Sequence, residues 1–181
     1  VLNCCVTATN DTSRSRYKRV DTDGNNKTTI TRYVGNVEFI TRLNGDKETK
    51  RYINGVAIDT STKKSGGGTE SSAQLLFKDH LGSTHTIMDG NAMTLLQRQS
   101  FDPFGQRRNA TNWQDLLDSQ LSSFNSSYTT RGFTGHEQLD EVGLIHMNGR
   151  VYDPKLGRFL QADPFIQAVG TLRALTGIAM C

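Results

Sequence analysis

The sequence predicts a mainly β protein, an antiparallel meander of short hairpins with one amphipathic helix at about residues 111–124. Three observations predict this class. Only 35% of the 181 residues are hydrophobic and 17 are Gly, which suits many turns better than long buried helices. Turn dipeptides recur between strand-like segments. One strand-turn-strand segment is also repeated within the chain.

The hairpins begin in the first third of the chain. Asp23-Gly24 and Asn44-Gly45 are hairpin dipeptides with strand-forming residues on both sides. In residues 37–43 the side chains alternate between a mostly apolar and a mostly polar face, as in a half-buried strand. Residues 14–60 are therefore expected to form a β meander.

An internal repeat strengthens this expectation. The segment "RYVGNVEFIT" (residues 32–41) aligns with "RYINGVAIDT" (residues 51–60), 19 residues later. A period near twenty is typical of small supersecondary units. One two-stranded unit cannot bury its own face, so several units must pair or stack.

The middle of the chain predicts a loop, further strands and the helix. Three consecutive Gly within residues 61–73 favour a flexible Gly/Ser loop. Strand signals then resume and turn at Asp89-Gly90. In residues 111–124, Trp113, Leu117 and Phe124 follow helical spacing, and Thr111 with Gln114 fits a capping box. A later hairpin is expected to turn at Asn148-Gly149.

Composition argues against several function classes. The net charge of +3 is small and both signs are mixed along the chain, which disfavours nucleic-acid binding. The three Cys (4, 5 and 181) give no disulfide framework, and no His stands at ligand spacing from them. We expect no metal, no cofactor and no membrane span. No signal peptide opens the chain. Its first residue is Val, so we expect a fragment, and if the protein is exported, we expect its export signal to lie outside this chain.

The stretch from residue 131 to 165 allows two interpretations. Asp153 and Asp163 are each followed by Pro, and they are either a catalytic carboxylate pair or two turn formers. An Asp side chain accepts local backbone hydrogen bonds and Pro fixes φ, so Asp-Pro is a natural start for a turn. Asp102 also precedes Pro, which favours a shared turn over shared catalysis.

These residues carry a family resemblance. The blocks at residues 78–105 and 133–164, with the Tyr-led repeats before them, resemble the RHS/YD-repeat proteins, and the second block resembles the RHS repeat-associated core domain. The motifs D-H-L-G-S, F-T-G, Y-D-P-x-x-G-R-F and D-P occur in that family's order. The structural-motif residues that the resemblance implies are Tyr33, Tyr52, Asp79, His80, Leu81, Gly82, Asp102, Pro103, Gly105, Gly135, Tyr152, Asp153, Pro154, Gly157, Arg158, Phe159 and Pro164.

The resemblance implies a bacterial polymorphic toxin, an insecticidal toxin-complex C subunit or a related surface protein. In that family the strands spiral into a closed β-shell around a variable toxin segment that follows the core domain. This chain is then expected to be part of such a β-shell, secreted or at the bacterial cell surface. Its expected partners are the rest of the shell, a C-terminal toxin segment, and possible secretion-system or toxin-complex proteins.

The resemblance also raises a catalytic alternative. Some members cut the chain behind the core domain by an aspartate-dependent autoproteolysis, and Asp163 matches one proposed catalytic Asp. After Gln167 this chain departs from the family pattern and lacks the second Asp and the cleavage motif. We therefore expect a non-enzymatic shell. A surface carbohydrate-binding module that uses Tyr side chains is the third candidate.

The expected organisation has five parts. Residues 1–13 match the repeats poorly, 14–60 hold the YD-type repeats, 61–73 form the loop, 74–167 form the core domain, and 168–181 form a divergent tail.

Overall fold

The computed structural model describes residues 5–10, 16–22, 27–122, 124 and 127–161. The chain divides into two units, residues 1–80 with 84–98, and residues 81–83 with 99–181. In its described part, the first unit holds one nine-stranded sheet and the second holds a two-stranded and a four-stranded sheet. All the strand pairs are antiparallel, so the predicted mainly β class is confirmed.

The first unit is a meander. Its strands lie side by side in chain order, and each is hydrogen-bonded to the next. They are β1 (Cys5–Asn10), β2 (Arg16–Thr22), β3 (Thr28–Val34), β4 (Val37–Thr41), β5 (Lys47–Ile53), β6 (Ala57–Lys63), β7 (Thr69–Lys78), β8 (Thr84–Asp89) and β9 (Leu95–Arg98).

The turns occur where the dipeptides predict them. Asn44-Gly45 connects β4 to β5, and the Gly45 amide donates to the Arg42 carbonyl. Asp89-Gly90 ends β8. Asp23-Gly24 lies outside the described residues, although β2 and β3 pair on either side of it. The two copies of the 19-residue repeat form the equivalent hairpins β3–β4 and β5–β6.

The alternation predicted for residues 37–43 is present, but polarity does not identify the buried face. Glu38 and Ile40 are buried, whereas Phe39 is 45% exposed. Strand β5 continues the pattern with buried Glu48 and Lys50. The sheet therefore buries charged side chains on one face, where they lie beside one another across the strands.

The loop expected at residues 61–73 is corrected. Strand β6 continues to Lys63 and β7 begins at Thr69, so the connection is a tight turn. The Lys64 amide donates to the Gly68 carbonyl, and the Gly67 amide donates to the Lys64 carbonyl. Ladder pairing of the flanking Ser and Thr residues outweighs their loop preference, because each pairs with a residue of the opposite strand in a seven-pair hairpin.

The second unit consists of short elements. They are β10 (Ser100–Phe101), β11 (Arg107–Arg108), α1 (Asp118–Ser122), β12 (Glu137–Leu139), β13 (Leu144–Met147), β14 (Arg150–Asp153) and β15 (Arg158–Phe159). A 3-10 turn spans Phe133–Gly135. The predicted Asn148-Gly149 hairpin joins β13 to β14, with Asn148 at φ +55°, a value that primed two-residue turns require.

The predicted helix at 111–124 is wrong over most of its length, since α1 spans only Asp118–Ser122. Asn109 Oδ1 accepts hydrogen bonds from the Thr111 and Asn112 amides, and this Asx turn competes with a helix start. Trp113 follows at φ +64°, outside helical geometry. The Thr111–Gln114 capping box does not form. Instead Gln120 Oε1 accepts from the Leu117 amide and caps the shorter helix.

Candidate functional site

The buried face of the nine-stranded sheet carries a network of charges, here called the polar face. It is formed by Arg19, Glu38, Glu48 and Lys50, each less than 10% exposed. Strand register places Glu38 opposite Lys50. Glu48 lies two residues before Lys50, so it is on the same side of β5. The strand pairing therefore aligns opposite charges.

Ion pairs satisfy these charges. The Lys50 ammonium lies 3.3 Å from Glu48 Oε1, and Arg42 Nε donates to Glu48 Oε2 at 2.8 Å. Burial lowers the pKa of Lys50, and the Glu48 and Glu38 carboxylates oppose that shift. Desolvated charges are costly unless paired in this way. The polar face thus keeps its charges paired, beside the buried apolar side chains of Ile40, Tyr52 and Ile58 on the same side of the sheet.

The two repeat tyrosines belong to the same face. Tyr52 is buried, and its hydroxyl donates to Glu38 Oε2 at 3.3 Å. Tyr33 is half-buried, with the Arg16 guanidinium 4.6 Å from its ring centroid. Tyr17 is more exposed, at 48%. The repeated Tyr is therefore a packing residue of the sheet at positions 33 and 52.

Tyr33 should make stability depend on alkaline pH. Burial raises its pKa from the ordinary 10.0 to about 12. Because the folded state holds this proton more tightly, its stabilising contribution is complete below pH 10 and is lost as the pH rises towards 12. Tyr33→Phe should reduce the alkaline loss of stability, measured by urea unfolding across that range. Tyr17→Phe is the matched control, and an equal effect of both variants would contradict the prediction.

Two Asp-Pro motifs of the second unit form similar turns. Asp102 Oδ1 accepts from the Phe104 and Gln106 amides. Asp153 Oδ1 accepts from the Lys155 and Leu156 amides. Each carboxylate thus satisfies backbone donors of the turn that it begins, which is the geometry of a turn former.

Asp153→Ala should destabilise the second unit by roughly 1 kcal/mol, because two backbone amides lose their acceptor at an exposed turn. Asp153→Asn retains a carbonyl oxygen at the same position and should lose much less. The midpoint of urea unfolding, followed by fluorescence of the single Trp, measures both. Equal losses in the two variants would argue for a role of the charge instead of the turn.

The family motifs meet around glycines. The Thr134 amide donates to Ser83 Oγ at 3.0 Å, which joins F-T-G to D-H-L-G-S. A Cβ placed on Gly105 of D-P-F-G would lie 2.6 Å from the Phe133 ring. A Cβ on Gly157 of D-P-x-x-G would lie 3.4 Å from Phe104. We call this arrangement the motif cluster.

The remaining described motif residues lie in turns and short strands. Asp79, His80, Leu81 and Gly82 lie between β7 and β8, Pro103 follows Asp102, and Gly135 ends the 3-10 turn. Tyr152 in β14 packs edge-on against Phe159 in β15 at 5.4 Å between ring centroids. Burial raises the pKa of Tyr152. Arg158 in β15 lies opposite Asp153 in β14 in the strand register, and Pro154 begins the turn between these two strands. Asp163 and Pro164 lie outside the described residues.

Sequence reasoning missed the buried ion pair of the second unit. Arg107 is buried, with 3% of its surface exposed. Its guanidinium donates to Asp140 Oδ1 at 2.5 Å and to Asp140 Oδ2 at 3.3 Å, and it also donates to Gln99 Oε1 at 2.9 Å. Its guanidinium carbon lies 5.1 Å from the Phe101 ring centroid and 4.0 Å from that of Phe124. Arg107 and Asp140 are 33 residues apart, so no local pattern pairs them.

The described residues offer neither a metal-ligand cluster nor a membrane-spanning helix. Within the described ranges no cluster of three or more His, Cys, Asp or Glu side chains is arranged to hold a metal ion. Over the same part of the chain, no helix has the length and apolar character to cross a membrane.

A sequential antiparallel sheet followed by a cluster of D-P turns defines a YD-repeat shell protein. The Teneurin YD-shell model matches residues 69–176, more than half of the chain, and the chain therefore belongs to this family. The resemblance to RHS/YD-repeat proteins is confirmed. The chain is also 27% identical over 159 residues to Salivary gland surface protein 1 of Aedes aegypti, covering 83% of this chain and 4% of that protein.

Solved structures share the fold. The crystal structure of TcdB2-TccC3 matches with a TM-score of 0.63 and 19% identity, over 86% of this chain and 8% of that chain. A Photorhabdus luminescens Tc holotoxin pore with a mutated TccC3 matches with a TM-score of 0.65 and 18% identity, over 89% of this chain and 8% of that chain. This chain thus spans less than a tenth of the length of these relatives.

Proposed function

We propose that this chain is a structural, non-enzymatic part of a β-shell that encloses a C-terminal cargo segment of its own protein. The observation that carries the proposal is the nine-stranded sheet, whose strands follow chain order and whose buried face carries charged side chains beside apolar ones. A wall of this kind grows by adding hairpins.

The motif cluster supports a structural role over a catalytic one. A two-carboxylate mechanism needs one group to act as acid and the other as base. Asp153, one member of the carboxylate pair that the sequence raises, instead uses one oxygen to accept two backbone hydrogen bonds of its own turn, as Asp102 does in its turn.

The proposed setting is extracellular, secreted or at a cell surface. The Aedes aegypti relative is named a surface protein, and the similar structures are parts of Tc toxins. The partners that fit are the rest of the shell, the enclosed segment and a toxin-complex protein that docks on the shell. Adhesion through tyrosines that stack on sugars is less well supported, because Tyr52 is buried and its hydroxyl donates a hydrogen bond to Glu38.

Limited proteolysis of the full-length protein that contains this chain tests enclosure. The C-terminal segment should resist a protease in the wild type and become accessible in Arg107→Ala, which weakens the second unit. Arg51→Ala, which breaks an exposed ion pair with Asp59, is the matched control and should leave protection intact. Equally fast cleavage of the segment in native and denatured wild type would reject enclosure.

The same preparation tests the non-enzymatic assignment. The wild-type protein should be one intact chain. A product already split behind the core domain, and restored to one chain by Asp163→Asn, would replace this assignment with an aspartate-dependent autoprotease.

A further inference from the structure

The surface turn after β11 presents an acceptor for a covalent modification. Asn109-Ala110-Thr111 is an Asn-x-Thr tripeptide without Pro, the pattern on which N-linked oligosaccharides are attached in secreted proteins. The same pattern begins at Asn10, Asn26 and Asn125. Asn109 is the acceptor whose side chain and surroundings the structure describes.

The geometry leaves the reacting atom available. Asn109 and Thr111 are both exposed. Asn109 Oδ1 accepts from the Thr111 amide at 2.8 Å, so the turn holds the oxygen of the side-chain amide. Within the described residues, Nδ2 of Asn109 donates no hydrogen bond, and it is the atom that a glycan would join. The neighbouring Trp113 is 66% exposed, so the turn stands open to solvent.

We propose that Asn109 is an N-glycosylation site when the protein passes through a secretory pathway that carries the modification. The co-reactant is a lipid-pyrophosphate-linked oligosaccharide. The Asn109 Nδ2 forms a bond to C1 of the first sugar and loses a proton to a base of the transferase. The bond between C1 and the pyrophosphate oxygen breaks, and the lipid pyrophosphate leaves with the electron pair. No oxidant or reductant is involved.

Asn112 provides an internal control in the same turn. It is also exposed, and its Oδ1 accepts from the amide two residues later, that of Gln114, at 3.1 Å. The Asx turn thus resembles that of Asn109, although Asn112 Nδ2 also makes a long hydrogen bond, 3.5 Å, to Gln114 Oε1. A hydroxyl residue is missing from the third position of the tripeptide that Asn112 begins. Asn112 should therefore remain unmodified, although it is equally accessible.

The experiment is secretion of the full chain from insect cells, followed by enzymatic removal of glycans that converts each occupied Asn to Asp. Cleavage after Arg108 and before Asp115 isolates one peptide that holds both Asn109 and Asn112. Mass spectrometry should find conversion at 109 and none at 112. An unmodified Asn109 in the secreted protein would overturn the proposal.

Variants of Thr111 separate modification from folding. The contact of Thr111 within the turn is made by its backbone amide, so side-chain changes leave it in place. Thr111→Ala should abolish conversion at 109 and Thr111→Ser should retain it, with Trp113 fluorescence unchanged in both. Conversion that survives Thr111→Ala would also overturn the proposal, because deamidation without a glycan would then explain it.

Discussion

Arg107→Ala is expected to destabilise the second unit by about 3–5 kcal/mol, because removing one partner leaves a buried charge on Asp140 without its counter-ion. The variant also removes a hydrogen bond to Gln99 and the contacts of the guanidinium with two aromatic rings. Urea unfolding followed by fluorescence of Trp113, the single Trp of the chain, measures the loss within this unit.

Two further variants sharpen this prediction. Arg51→Ala removes an exposed ion pair with Asp59 and should change stability by less than about 1 kcal/mol. The double variant Arg107→Met with Asp140→Leu removes both buried charges and should recover a large part of the loss. If Arg107→Ala costs no more than Arg51→Ala, the buried pair is not a stabilising contact.

Gly105→Ala is expected to cost about 3 kcal/mol, the second largest effect. Gly105 lies at φ +93°, a conformation that a residue with a Cβ adopts at a cost of roughly 1–2 kcal/mol. A methyl group there would also lie 2.6 Å from the Phe133 ring, and overpacking of this kind costs roughly 1–3 kcal/mol. Trp113 fluorescence during urea unfolding again follows the second unit.

Gly82 separates the two causes. It belongs to the same unit and has φ +83°, but nothing lies within 4 Å of a Cβ placed there. Gly82→Ala should therefore show the conformational cost alone, roughly 1–2 kcal/mol. Phe133→Leu should relieve part of the Gly105→Ala loss in a double-mutant cycle. Additive effects of the Gly105 and Phe133 changes would show that the ring does not press on this glycine.

The sheet illustrates what local patterns can predict. Alternating polarity and the Asn-Gly and Asp-Gly dipeptides act between residues close in the chain, so strands, turns and the 19-residue repeat were predictable. The same local rules failed at residues 61–73, where a Gly-rich and Ser-rich segment is mostly strand. They failed again at residues 111–117, where an Asx turn at Asn109 replaces the helix.

The motif cluster shows the same division. The turns at Asp102 and Asp153 follow from Asp-Pro chemistry, because each carboxylate bonds amides within four residues. The contact between Gly105 and Phe133 and the pair between Arg107 and Asp140 join residues about thirty positions apart. Such contacts depend on which loops the fold brings together, and neither composition nor spacing encodes them.

Sequence alone determined that this protein is an antiparallel meander of repeated hairpins with D-P turns, and its motifs placed it among the YD-repeat proteins. Only the tertiary structure decided which face of the sheet is buried. Alternation distinguishes two faces but assigns neither to the interior, because the outcome depends on neighbouring strands. Here Glu38, Glu48 and Lys50 lie on the buried face together with Ile40, Tyr52 and Ile58, whereas Phe39 stays exposed. The register that places Glu38 opposite Lys50, and the ion pair between Lys50 and Glu48, offset the cost of burying these charges.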